Sequence, residues 1–506
     1  MALLASVILR AIPAALVGPG FDEAYYYLFS QHPAWGYFDH PPMVAFVAGA
    51  GQWLTRIHSP LTLRLGAIIS FTLTLMGLYQ VTSYLYGRTA GRLALLFPHA
   101  IPYFFAGAGA FVIPDNALTA AWIWCLYLIL MLREERINRT WGFLLLGAVT
   151  GLALLSKYHA VLLPASFVIA TLFDRRLQCW WCNWRLYLAL IVAVVVFSPC
   201  LFWNAQNHWI SFVEQFGKST SSGLRIRFDL LGQAVGGQLL YLTPWMAVAL
   251  WIGSLRISRR NRSDFWLLPF FLAPVGIFTL LGFTRGILPH WTMPGYLTSF
   301  VLAAGTFAPA LDGIEKSYLK QREGVTTKLA GNHKAIRLTL LAIATNLLLI
   351  TIVVLQARFG LLPIPPQADP TLDPCGWKES LAELELRGNL TQDEVLFSDR
   401  WFNGGEIGWA DQNRHPIVLL HDNPHNFAWW SPPENYLGRS GVFLTQERYG
   451  LDEDGIQSTL RDRFKKVDEL MIGPYRRGKQ IIKMQAWRVT EFYNPPSLYY
   501  GPKSDR

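Results

Sequence analysis

An apolar run from Ala2 to Gly18 passes almost at once into Asp22-Glu23-Ala24-Tyr25-Tyr26-Tyr27, and a little further on comes Gly36-Tyr37-Phe38-Asp39-His40-Pro41-Pro42. Three acidic groups and a histidine thus sit where the first apolar segment would meet water. Charges that close to lipid cost free energy unless they are paired, hydrated or used, so this cluster is a candidate functional site. Arg10 lies in the middle of the opening run, and no small-residue cleavage signature follows it. The run therefore reads as a retained first span whose arginine faces protein rather than lipid.

The rest of the chain repeats that alternation. Hydrophobic residues make up 52% of 506 residues and charged ones only 15%, which excludes an ordinary soluble enzyme and points to a polytopic α-helical membrane protein. The net charge of +10 falls in short basic clusters between apolar runs. That is the pattern of cytoplasmic loops, not of a nucleic-acid surface, and no nucleic-acid partner is expected.

Taking about 20 apolar residues per span and basic loops inside, the threading gives about eleven spans. They lie at about 2 to 18, 61 to 86, 93 to 113, 117 to 132, two within 142 to 173, then 186 to 202, 229 to 253, 264 to 283, 287 to 309 and 338 to 357. The long run from 142 to 173 divides near Ser156-Lys157-Tyr158. Arg64, inside the second span, calls for an acidic partner or a polar cavity. Cys179 and Cys182 have metal or redox spacing but no second pair, so two thiols in an interfacial loop is the simpler reading.

The expected domains are a transmembrane part over residues 1–357, with an outer loop at 19–60, and a soluble extracytoplasmic α/β domain over 358–506, where charges and turn residues become frequent. Glu394 to Phe397, Pro416 to Leu420 and Gly441 to Leu444 read as strands, and Ile456 to Phe464 as a helix.

On the outer face this threading gathers Asp22, Glu23, Asp39, His40, Asp115, Lys157, His208, Glu214, Arg285 and His290. Carboxylates there can act as general bases, as metal ligands, or simply as helix caps, and Asp22 and Asp115 both precede probable helices. Lys157, interrupting an apolar run, can snorkel or can hold an anionic phosphate. Arg285 could pair a phosphate bidentately. Soluble hydrolase, nucleotide-binding and zincin motifs are absent. An extracytoplasmic biosynthetic enzyme has no nucleotide supply, so an activated donor would have to be carried by a membrane lipid.

These residues, in order, resemble the GT-C membrane glycosyltransferases, specifically family 39 with the protein O-mannosyltransferases and the aminoarabinose transferases. The matching segments are Asp22 to Tyr26, Gly36 to Pro42, Leu63 to Leu65, Pro114 to Leu118, Ser156 to Tyr158, Trp203-Asn204 with His208-Trp209, and Pro289 to Tyr296. The resemblance implies Asp22 as the catalytic base with Glu23 in support, Asp115 as a second acidic position, Lys157 and Arg285 at the lipid phosphate, and Tyr158 among the substrate-binding residues. It also places His40, His290 and Tyr296 in the substrate pocket and Asp39 at a position that, in the aminoarabinose enzymes, helps to hold a divalent metal ion. Two positions depart from those enzymes: His40 stands where they have lysine, and Gln215 where they offer a histidine.

The expected function is transfer of a sugar, with inversion, from a polyprenyl-phosphate donor to a hydroxyl of a lipid, glycan or protein, at the periplasmic face of a bacterial inner membrane. The alternative from another class is a carrier or flippase for lipid-linked sugar without chemistry. Asp22→Asn separates the two.

Overall fold

The computed structural model describes residues 2–217, 226–322, 333–447, 453–478, 480–498 and 500. Lys328, in the last basic loop before the final span, lies outside the described residues. The chain forms two compact units, each discontinuous in sequence. One comprises Met1–Arg10, Ala67–Phe202 and Phe216–Ile350; the other comprises Ala11–Gly66, Trp203–Gln215 and Thr351–Arg506.

The first unit is helical. Among the described residues of the whole chain, six helices are long and apolar enough to cross a membrane, and eight if each of two bent helix pairs is one span. This is a polytopic membrane protein. Several apolar stretches expected to span are broken into shorter pieces. The run near 93 to 113, for example, becomes a helix Arg88–Leu96, a 3₁₀ turn Phe97–His99 and a π-helical turn Tyr103–Gly107. Pro98 and Pro102 explain the breaks, because each lacks the N–H that would continue the ladder. Arg139–Ser156 stops where the sequence indicated, with Lys157 in extended backbone, and the chain resumes as Tyr158–Val161 and Leu162–Thr171.

Arg10 faces protein, as its position required. It is 1% exposed, its Nη1 donates to the Ser6 carbonyl at 3.2 Å and to the Ser6 hydroxyl, and its guanidinium lies over the rings of Phe71 and Phe105. The core of this unit is aromatic and aliphatic, with Trp122, Trp266, Phe270 and Phe300 all buried.

The second unit is α/β and carries the acidic stretch. A five-stranded sheet has the order β2-β1-β3-β7-β4, where β1 is Val395–Ser398, β2 Ile417–Leu419, β3 Gly441–Gln446, β4 Phe464–Leu470 and β7 Met484–Phe492; β5 (Tyr475–Arg477) and β6 (Gln480–Ile482) form a separate ribbon. β1 runs parallel to β2 and β3, while β7 runs antiparallel to β3 and β4. All three expected strands are present, and the expected helix is Glu453–Arg463. Phe397 sits opposite Phe443, and Phe443 opposite Trp487, so one sheet face stacks aromatics over a closed core with Phe464 and Phe492.

Helix Phe21–Gln31 turns 95° away from helix Ala2–Leu16. It packs on helix Trp401–Asp411 of the same unit. Glycines make the approach possible: a Cβ on Gly405 would come within 3.0 Å of the Tyr25 backbone nitrogen, and one on Gly408 within 2.6 Å of the Leu28 side chain.

Candidate functional site

The acidic helix is built so that Asp22 is left for other work. The helix begins after Gly20, and its first-turn N–H is capped from within by Glu23, whose Oε2 accepts from the Gly20 N–H at 3.3 Å. Glu23 also accepts from Arg64 Nε at 2.8 Å and from Arg64 Nη2 at 2.5 Å. The remaining Arg64 donors reach the carbonyls of Ala14, Val17 and Gly18. One buried arginine thus closes the open end of the first helix and fixes Glu23, the acidic partner that its position demanded.

Asp22 itself is solvent-exposed, on a wall dense enough that burial pushes its carboxyl up to about 7, with the like charges of Asp39, Glu23 and Asp373 adding to the effect. A carboxyl accessible to substrate and tuned toward neutrality has the properties required of a general base. The helix-cap alternative for Asp22 is not what is found.

Asp39 and His40 are held by the same unit. His40 Nε2 hydrogen-bonds with Tyr26 Oη at 2.9 Å. Asp39 Oδ2 lies 3.3 Å from His425 Nδ1. Burial would raise the Asp39 carboxyl, but the imidazoles of His40 and His425 outweigh it and hold it below the usual carboxylate range. Segment 203–215 braces this loop. The Trp203 ring lies where a Cβ on Gly36 would be, Ser211 Oγ donates to the Tyr37 carbonyl at 2.6 Å, and Gln215 Nε2 donates to the Asp39 carbonyl at 2.8 Å.

The metal position implied by the resemblance is not supported by this donor set. Among the described residues no three His, Cys, Asp or Glu side chains converge where a metal ion could sit. The Asp39 carboxylate faces His425, and Gln215 is engaged with backbone. Cys179 and Cys182 are exposed and unpaired in a 3₁₀ turn.

In the helical unit, Lys157 Nζ donates to Asp115 Oδ2 at 2.6 Å, with Lys157 only 5% and Asp115 1% exposed. Asp115 does not cap its helix; it neutralises the lysine. The extended backbone at Lys157, between two helical segments, turns this side chain inward instead of along a lipid-facing helix surface. Nearby, His290 lies parallel to the Tyr103 ring with 6.5 Å between centroids, and Tyr241 is parallel on Tyr103 at 5.8 Å. Arg285 follows the turn after helix Leu268–Leu281.

Two expected pocket residues belong to the core instead. Tyr296 is 2% exposed, accepts from Trp251 Nε1 at 3.2 Å and packs against Phe271. Tyr158 is 6% exposed, with its hydroxyl 3.7 Å from Cys200 Sγ. Sequence reasoning missed His425, Asp373 and Tyr103. For the first two no local signal existed. Tyr103 carried a faint one, in the Pro102-Tyr103 break of an apolar run.

The fold is shared with a solved membrane protein of matching length. Structures of ArnT from Cupriavidus metallidurans superpose on the chain in the apo state with a TM-score of 0.63 and 16% identity, covering 96% of this chain and 97% of that one. The undecaprenyl phosphate-bound form gives a TM-score of 0.61 over the same shares.

Residues 39–203 match the family described as dolichyl-phosphate-mannose-protein mannosyltransferase. Lipopolysaccharide core galacturonosyltransferase RgtB of Rhizobium johnstonii is 29% identical over 164 residues, 30% of this chain and 33% of that one. The undecaprenyl phosphate-alpha-4-amino-4-deoxy-L-arabinose arabinosyl transferase of Erwinia tasmaniensis is 24% identical over 287 residues, 53% and 49% of the two chains. Lipid A galacturonosyltransferase RgtD of Rhizobium johnstonii is 24% identical over 298 residues, 56% and 59%. The alignments thus span about a third to three fifths of these curated relatives.

Proposed function

We propose that this protein is an inverting glycosyltransferase that moves one sugar from a polyprenyl-phosphate donor to a hydroxyl of an envelope glycolipid. Asp22 removes the proton of the acceptor hydroxyl as that oxygen attacks the anomeric carbon. The bond from that carbon to the phosphate oxygen breaks, and the lipid phosphate leaves as an anion stabilised by Lys157. The relatives' names, which specify lipopolysaccharide core and lipid A as acceptors and undecaprenyl phosphate as a carrier, favour a lipid A or core-saccharide acceptor over a protein. The observation that carries the reading is Asp22: uncapped, exposed and with its carboxyl raised to about 7.

On this reading the catalytic face and residues 358–506 lie in the periplasm, with the helices of the first unit in the inner membrane. Asp22→Cys, in a background with Cys179 and Cys182 changed to serine, should then be labelled by a membrane-impermeant maleimide added to cells with a permeabilised outer membrane. Protection in whole cells with labelling only after lysis would reverse the orientation. The activity is tested with purified protein in lipid nanodiscs and radiolabelled undecaprenyl-phosphate sugars. Asp22→Asn should slow transfer by about 10²–10⁴-fold while retaining donor binding, and unchanged turnover would remove Asp22 from its role.

A further inference from the structure

A cavity of about 480 Å³ opens at the end of the helical unit remote from Lys157. Helix Asp115–Arg133 carries Asp115 at its first position and Arg133 at its last, a rise of about 27 Å. Near the Arg133 end the cavity lies between this helix, the last two turns of helix Pro60–Tyr86 and the short helix Arg88–Leu96. Arg88 and Arg92, one turn apart on the same helix face, line it together with Tyr79, Gln80, Tyr84 and Tyr127. Neighbouring arginines at this end are spent on carboxylates: Arg133 on Asp174 at 2.7 Å, Arg139 on Glu135 at 2.5 Å and Arg176 on Glu134 at 3.1 Å. Arg88 and Arg92 are exposed and, among the described residues, form no ion pair. Arg136 Nε donates to Tyr84 Oη at 3.0 Å, which leaves the Tyr84 proton to be donated elsewhere.

Tyr127 belongs at the same time to an apolar groove of about 370 Å³. Its walls are Trp124 and Leu128 of helix Asp115–Arg133 and Trp141, Leu145 and Val149, spaced four apart, of helix Arg139–Ser156. Both helices are long and apolar enough to cross a membrane, and Trp141 and Leu145 are 68% and 51% exposed. The basic cavity and the apolar groove therefore adjoin at one residue. Guanidiniums without a counter-ion only donate, so the cavity selects an anion. The groove selects hydrocarbon. Free phosphate satisfies the first demand alone and a neutral lipid the second alone, while a zwitterionic headgroup would bring its own cation up to Arg88 and Arg92. A phospholipid with a net negative headgroup satisfies both, and basic pockets between spanning helices bind such headgroups.

We propose that this cavity and groove together bind one anionic phospholipid of the phosphatidylglycerol class, with its phosphate on Arg88 and Arg92 and an acyl chain between Trp124 and Trp141. Its binding depends on none of the groups assigned to sugar transfer.

The test is lipid retention by the full chain in detergent, counted by native mass spectrometry with phosphatidylglycerol or phosphatidylcholine of the same acyl chains. The wild-type protein should hold one phosphatidylglycerol about 25-fold more tightly than phosphatidylcholine, with each arginine supplying about five-fold. Arg88→Gln and Arg92→Gln should each lower that preference about five-fold and leave phosphatidylcholine unchanged. Arg139→Gln removes an equal charge at the same end, from an arginine already paired, and should leave the preference within about two-fold. Trp141→Ala should weaken both lipids alike. In the wild-type protein, about 0.5 M NaCl should shrink the preference, a readout that needs no variant to fold. Equal retention of the two lipids, a preference untouched by salt or by either substitution, or the same loss in Arg139→Gln would overturn the site, as would binding of both lipids unchanged in Trp141→Ala. Displacement of phosphatidylglycerol by equimolar inorganic phosphate or undecaprenyl phosphate would also overturn it, by making a bare anion or the carrier lipid the occupant.

Discussion

Lys157 Nζ and Asp115 Oδ2 are 2.6 Å apart, with side-chain exposures of 7% and 1%. A buried pair of this kind is a poor source of net stability, but breaking it is costly, because the survivor is left as an uncompensated charge. Lys157→Met should therefore destabilise the protein by about 3–5 kcal/mol, and the double variant Lys157→Met with Asp115→Leu by much less. Thermal unfolding in detergent checks the stability difference. The double variant, if it folds, should still fail to bind undecaprenyl phosphate, because the cation is gone.

Asp22 links structure to pH. Its carboxyl is raised to about 7 by burial, then by Asp39, Glu23 and Asp373, and a general base works only when deprotonated. Because the shift is upward, the acidic limb of the profile moves toward neutrality: transfer should fall as pH drops through about 7, not through the usual carboxylate range near 4. Asp373→Asn removes one like charge and should move that limb to lower pH. Asp22→Asn should lose about 10²–10⁴-fold in kcat above about pH 7, with the deficit narrowing as the wild-type carboxyl protonates at lower pH. The pH dependence of kcat/KM is the measurement, and a limb near pH 4 in the wild-type enzyme would remove the tuning argument.

Arg64 and Glu23 make a second buried pair, of a different kind. Arg64 donates to two carboxylate oxygens and three carbonyls at once, a fork that lysine cannot reproduce. Arg64→Lys should thus behave almost as a deletion, with loss of about 3 kcal/mol or more and enhanced proteolysis around residues 17–23. Near-wild-type resistance to protease would show that the carbonyls find other partners.

How far the sequence could be read depended on range. Helix boundaries set by local chemistry were legible: the break at Lys157, the strand at Val395–Ser398 and the pairing demand of Arg64 all follow from residue type and spacing. The direction of Asp22 was not. A first-turn aspartate commonly caps, and only the fold shows that Glu23, three residues past Gly20, has taken that task. Asp39 is assigned to a metal only through its resemblance to the aminoarabinose enzymes, whereas its partner here, His425, is 386 residues away. Tyr158 and Tyr296 sat within recognisable segments, yet their rings are spent on the core. Proximity in sequence to a functional lysine or histidine does not indicate which way a ring points.

Glu406 yields the last prediction. It is 2% exposed in helix Trp401–Asp411, and neither of its carboxyl oxygens has a hydrogen-bond partner. Burial first, then the charges of Asp373 and Glu23, push its carboxyl well above the usual value, so folding favours its protonated form. The sign of the linkage follows: a carboxyl raised on folding contributes stability that is present below its unfolded value and is lost as pH rises toward its folded one. The second unit should therefore weaken as pH climbs from about 4 toward neutrality, since the unfolded chain gains more by ionising Glu406 than the folded one can. Glu406→Gln removes this dependence while keeping shape and volume. It should match the wild type at pH 4 and exceed it at pH 7, read as slower amide hydrogen exchange in Trp401–Asp411 and in the facing helix Phe21–Gln31. A variant that exchanges faster than wild type at pH 7 would mean that Glu406 is ionised and paired in the folded protein.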